Sequence, residues 1–160
     1  MKTVIYNIAQ HIISLSMCSS SVLWNILDNY LPFWVEQTDK EHILKVIVSE
    51  SLSLERTSYL PILVNSSKQE DLVAFDLYKN ENSEYLIEVK VSRDNSVNAL
   101  LALSKDFKRA DIQLFGNERV QAVALNRAIM VAYLLATAEK ETILIHASAV
   151  KNNEMGYLFL

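Results

Sequence analysis

Asp76 stands in a largely apolar stretch, Leu72 to Lys79, and Tyr85-Leu86-Ile87-Glu88-Val89-Lys90 follows it. If both stretches are strands, the alternation of side chains puts Glu88 and Lys90 on one face. Two carboxylates brought together on neighbouring strands can bind a divalent ion, and a lysine beside them can orient an attacking water. The same residue types at alternate positions also describe a polar sheet face of solvated partners, a spacing common in hairpins. A second constellation lies in Thr142 to Val150, where alternation makes His146 and Ser148 neighbours on one face with Leu144 and Val150. One imidazole cannot hold a metal alone, so His146 is at most a single ligand.

Composition removes several other chemistries. The 160 residues include two glycines, Gly116 and Gly156, forty positions apart. A phosphate-cradling loop of the GxGxxG or GxxxxGK[ST] kind needs two within a few positions, so the chain carries neither. The formal charge of −4 opposes a general phosphate-binding surface, because non-specific nucleic-acid affinity comes from Lys and Arg displacing counterions. Cys18 has no internal disulfide partner, and His11, His42 and His146 form no zinc-ligand pair. A reduced, cytoplasmic protein is expected. Met1 to Cys18 faintly resembles an exported lipoprotein leader, but Asn7, Gln10 and His11 interrupt its apolar run and Met17 is too large for the cleavage position. Asn126 and Arg127 sit in the middle of the most apolar long segment, Val120 to Ala138, which argues for a helix packed on protein and against a membrane span.

The elements that must position these residues are read from periodicity. Residues 2–8 and 11–17 predict a hairpin around Ala9-Gln10. Ser19 to Ser21 offer helix caps, better than they offer nucleophiles, before a helix over about 20–31 that Pro32 should stop. Strands follow at 43–48, 59–64, 72–79 and 84–91, the last two joined by the turn Asn80 to Ser83. Shorter strands are expected at 100–103 and 112–115. After Gly116, Asn117 is a plausible cap for a helix over 117–139, with Val120, Val123, Ala124, Ala128, Val131, Leu134, Leu135 and Ala138 on one face. Thr142 to Val150 and Tyr157 to Leu160 form a final antiparallel pair across Lys151 to Met155. The expected fold is α+β, a mainly antiparallel sheet with two principal helices, about 20–31 and 117–139.

Ile143-Leu144-Ile145-His146-Ala147-Ser148-Ala149-Val150, a short turn, and Gly156-Tyr157-Leu158-Phe159-Leu160 resemble the segment directly preceding the P-loop in HPr kinase-like proteins. Leu125 to Met130 and Tyr133 to Ala138 resemble the long helix that leads into it. The related phosphoenolpyruvate carboxykinases carry a similar His-x-Ser-Ala strand whose histidine is a ligand of the catalytic metal, and His146 matches it. The resemblance covers 117–160 and is weak over 1–116. It implies that residues 1–160 are an N-terminal accessory domain, with about 142–160 beginning a nucleotide-binding core that continues downstream. A chain stopping on an apolar strand reads as a truncation. The complete protein would use ATP and Mg²⁺ to phosphorylate a serine of a protein or peptide acceptor, with His146 and Ser148 near its active site. The chain itself should bind neither cofactor, nor nucleic acid, nor a membrane. Stripped of its core, the 142–160 segment should join chains into a homo-oligomer.

Asp76 followed by Glu88-x-Lys90 also resembles the site of the PD-(D/E)xK nucleases, which implies a metal-dependent nuclease as the alternative. That family's helix after the Glu-x-Lys strand is poorly supported by Ser92 to Asn98. A free-standing protein-interaction module is a further alternative. Lys105, Lys108 and Arg109 are diluted by Asp106 and Asp111 and read as a solvated loop. Trp24, Phe33 and Trp34 read as core, with a small partner-binding patch as the alternative.

Overall fold

A computed structural model describes residues 1–49, 52–64, 73–91, 94–140, 142, 148–152 and 155–159. Strands β1 (Lys2–Ile8) and β2 (His11–Met17) form the first hairpin in full antiparallel register, Ile8 facing His11. Ala9 and Gln10 both take positive φ, 49° and 69°, the geometry a two-residue hairpin turn requires.

Ser21 caps the next helix, its Oγ accepting from the Leu23 N–H at 3.3 Å. That helix runs Val22–Phe33, two residues beyond the expected stop, and its turns are 3₁₀. Pro32 therefore lies inside it. A fixed φ near −65° suits a 3₁₀ turn, and the missing N–H falls in the last turn, where Trp34 N–H closes onto the Leu31 carbonyl. β3 (Trp34–Val35) pairs with β1, and β4 (His42–Val48) lies parallel to β2. A short 3₁₀ turn, Arg56–Ser58, precedes β5 (Leu60–Leu63). β6 (Ala74–Lys79), β7 (Tyr85–Lys90), β8 (Ala99–Leu103) and β9 (Arg109–Leu114) form an antiparallel meander, and β9 closes the sheet by lying parallel to β4.

The result is one mixed, mainly antiparallel sheet in the order β3-β1-β2-β4-β9-β8-β7-β6-β5. The α-helix α1 (Glu118–Thr137) and the long 3₁₀ helix cover one face, giving the α+β class. Asn117 is the cap, its Oδ1 accepting from Val120 N–H at 3.1 Å. Ala124, Ala128 and Ala132 are fully buried; their spacing of four and their small side chains let α1 sit close to the sheet. α1 has the length and hydropathy of a bilayer span, but Leu125, Ile129 and Tyr133 on the same side pack into the core with Ile13, Val46 and Leu101.

β10 (Ser148–Asn152) and β11 (Met155–Phe159) pair antiparallel as a separate two-stranded sheet. The expected turn over Lys151 to Met155 shortens, because Lys151 and Asn152 continue β10 and Met155 opens β11. Asn152 facing Met155 leaves a two-residue connection, a loop length hairpins favour. Most of the expected strand from Thr142, including His146, lies outside the described residues. Thr142 itself is tied back to the first hairpin, its Oγ1 2.8 Å from His11 Nε2.

Candidate functional site

The β6–β7 hairpin is closed by Asn80, whose N–H donates to the Glu84 carbonyl at 3.0 Å and whose Oδ1 accepts from the Glu84 N–H at 3.0 Å. That closure sets the register in which Asp76 faces Glu88, Tyr78 faces Leu86 and Ala74 faces Lys90. Even-numbered residues of both strands therefore share one face, the one turned away from α1. Tyr78, Leu86 and Leu100 form a small second core there, with Leu54, Tyr59, Val97 and Phe115 against it.

Within that core the three sequence-predicted residues come together. Lys90 Nζ lies 2.5 Å from Asp76 Oδ2 and 3.8 Å from Glu88 Oε2. The reading of this face as solvated is corrected: Asp76 is 1% exposed and Glu88 5%. The segment before β5 folds over the hairpin, carrying Leu54 onto the apolar residues and Arg56 onto the carboxylates.

Two participants escaped the sequence reading. Arg56 Nη1 is 3.4 Å from Glu88 Oε1, and its guanidinium carbon stands 4.5 Å from the centre of the Tyr78 ring. Tyr78 Oη donates to Glu88 Oε2 at 3.2 Å. Tyr78 was within reach of the alternation argument, two residues from Asp76. Arg56 had no local signal, since its contact crosses thirty-two positions. Burial chiefly, then the Glu88 carboxylate, pushes the Tyr78 phenol above its ordinary value of 10.0. A proton kept on Tyr78 lets it remain a donor to Glu88.

Among the described residues the cluster sets two carboxylates against one ammonium and one guanidinium. Its chemistry follows from where the ammonium sits. Lys90 bridges Asp76 and Glu88 from the position a shared divalent ion would take, so ion binding requires the ammonium to swing out. Among the described residues, β7 is followed by β8 rather than by the helix of the nuclease pattern.

The remaining singled-out residues are dispersed. Lys108 pairs with Glu41 at 2.8 Å, holding that exposed carboxyl below its ordinary range. Arg109 opens β9 and binds Asp111 in bidentate fashion at 2.7 and 2.9 Å. Trp24 packs against the main core with its indole N–H on the Cys18 carbonyl. Phe33, the last residue of the 3₁₀ helix, and Trp34, in the sheet's outer strand β3, do not join it: they are 41% and 54% exposed. Ser148 lies in β10, whose side chains are outside the described residues, as is His146. No family model, no curated protein and no solved structure matches the chain.

Proposed function

We propose that the chain is an accessory domain, serving substrate selection, assembly or regulation, of a cytoplasmic HPr kinase-like ATP-dependent serine phosphotransferase. The observation carrying this reading is the β10–β11 ribbon: the segment with the family resemblance pairs in register, apart from the nine-stranded sheet. A separate ribbon after a self-contained sheet suits a chain in which binding and phosphoryl transfer occupy different units. The residues present do not fit ATP, for phosphate cradling needs successive backbone N–H groups and a lysine in a glycine-rich loop, and the two glycines lie forty positions apart.

Two measurements test the reading. Calorimetry of residues 1–160 with ATP and Mg²⁺ is expected to give no heat above dilution, and micromolar binding would overturn the assignment of nucleotide binding to another unit. The reading frame after codon 160 is expected to encode GxSGxGK[ST]; an in-frame stop there removes the kinase and leaves a free-standing interaction module.

The convergence of Asp76, Glu88 and Lys90 favours a second reading, a metal-dependent nuclease. Plasmid cleavage with Mg²⁺ or Mn²⁺ that is lost in Glu88→Ala would establish it. Intact plasmid with the wild-type chain would dismiss it.

A further inference from the structure

The long 3₁₀ helix ends in a run of apolar side chains that the fold leaves uncovered. Leu31 is 63% exposed, Pro32 is exposed beside it, and Phe33 and Trp34 stand out of the core with them. Earlier in the same helix Leu23 and Leu27 are buried against the sheet. The difference follows from the helical period. Residues three apart eclipse in a 3₁₀ helix, so Val22, Asn25, Asp28 and Leu31 form one row, and all four are exposed. The Trp34 N–H then closes onto the Leu31 carbonyl, which gathers residues 31–34 into a single turn.

That turn lies at the margin of the sheet. Trp34 and Val35 pair with Tyr6 and Ile5 on one side, and β3 ends the nine-stranded order, so its other side pairs with no strand among the described residues. An added strand needs both of these features: an edge for backbone pairing and side chains for burial. Exposed aromatic residues, Trp above all, are the anchors from which such contacts draw most of their affinity. We infer that the Leu31–Trp34 turn and the β3 edge are a docking surface for an extended segment of a partner protein, with an aliphatic centre between basic ends.

Charge selects that occupant. Carboxylates bracket the apolar turn: Asp28 stands one 3₁₀ turn, about 6 Å, before Leu31, Glu36 and Asp39 follow Trp34, and all three are exposed. Between Lys2 and Lys40 the sequence places these three acids and no lysine or arginine. Of the two flanking lysines, Lys2 has its ammonium over the Trp24 ring, 4.8 Å from its centre, and Lys40 adjoins Asp39. A segment with basic ends and an aliphatic centre matches the order acid, apolar turn, acid. A second copy of the chain would instead bring two sets of the same carboxylates together across a two-fold axis, and anionic lipid headgroups would be repelled. The inference uses no residue of the kinase or the nuclease reading and stands apart from both.

The chain's two tryptophans make the test direct, because the Trp24 indole N–H, held on the Cys18 carbonyl at 2.8 Å, serves as a reference for that of Trp34. The probe is the peptide acetyl-RKVIVKR-amide, against acetyl-EDVIVDE-amide as the charge-reversed control, with both indole resonances followed in the wild-type chain. The basic peptide is expected to shift the Trp34 resonance and leave that of Trp24 in place, and the acidic peptide to shift neither. Binding should weaken as salt is raised, since the flanking carboxylates are exposed. Trp34→Ala should weaken binding of the labelled basic peptide about tenfold, as loss of an anchor does, and Asp28→Lys combined with Glu36→Lys should reverse the preference between the peptides. Should a variant not fold, the resonances of the wild-type chain decide. No shift at about 1 mM peptide, the weak end of specific affinity, equal shifts with both peptides, or full affinity in Trp34→Ala each overturns the proposal. So does a Trp34 shift produced by phosphatidylcholine vesicles and not by the basic peptide, which would make the turn a membrane contact, or one produced by protein concentration alone, which would make it a contact between copies.

Discussion

Asp76 and Glu88 face each other across the β6–β7 pair, and the Lys90 ammonium reaches both, 2.5 Å from one carboxylate and 3.8 Å from the other. Two carboxylates so close and so buried repel each other unless a cation stands between them. The lysine is such a cation, and the Arg56 guanidinium adds a second at the other oxygen of Glu88. A buried ion cluster of this kind adds little net stability as a whole, yet removing one member leaves an uncompensated charge in a desolvated place.

Lys90→Ala is therefore expected to destabilise the chain by about 3–5 kcal/mol, whereas Asp76→Asn combined with Lys90→Met, which removes one charge of each sign, should cost less than the single substitution. Urea unfolding followed by far-ultraviolet circular dichroism measures both. A double variant as damaged as Lys90→Ala would mean that packing of the lysine stem, and not charge balance, sets the cost.

Tyr78 links the cluster to pH. Its phenol is raised in the folded chain, burial being the larger cause and Glu88 the next, while the unfolded chain ionises near 10. The folded state thus holds the proton more tightly, and this contribution is fully present below the unfolded value and is lost as pH rises through the folded one. Tyr78→Phe should cost about 1–3 kcal/mol at neutral pH, the hydrogen bond to a carboxylate. The gap between variant and wild type should narrow above about pH 10, which unfolding curves from pH 8 to 11 would show.

How much of this could be read from the sequence depended on the distance over which each feature is decided. The first hairpin, the existence and Asn117 cap of α1 and the shared face of Glu88 and Lys90 are local matters of alternation and capping, and all three appear as expected; the face that α1 buries does not, since Leu125, Ile129, Ala132 and Tyr133 join Ala124 and Ala128 in the core while Val123 and Leu134 of the expected face are exposed. The burial of Asp76 and Glu88 was hidden, because it depends on the segment around Leu54 and Arg56 folding across strands far from it in the chain. Pro32 misled in the other direction, since the rule that ends an α-helix is weaker for 3₁₀ turns, whose dihedral fits proline.

Gly116 sets the start of α1. It has φ +92°, where a side chain is strained, and an added Cβ would approach Val120 Cγ1 to 3.2 Å. Gly116→Ala should cost about 1–2 kcal/mol and more than Asn117→Ala, which loses only the cap, about 1 kcal/mol. Thermal unfolding of both variants checks the order. Equal losses would show that the turn relaxes to negative φ at little cost.

The β10–β11 ribbon gives the last test. Each of its strands has one partner among the described residues, so the outer edges of Ser148–Asn152 and Met155–Phe159 present backbone groups that a further strand can pair with. An isolated two-stranded ribbon is marginal in water, and unprotected edges recruit other chains. Leu158, opposite Ala149 in the register, is an apolar position at which a charge would oppose such recruitment, as edge lysines do in natural sheets. Light scattering of concentrated wild-type chain is expected to give a homo-oligomer, and Leu158→Lys should return it to a monomer with the circular dichroism of the nine-stranded sheet unchanged. A wild-type monomer, or an oligomer indifferent to the lysine, would show that association does not run through this ribbon.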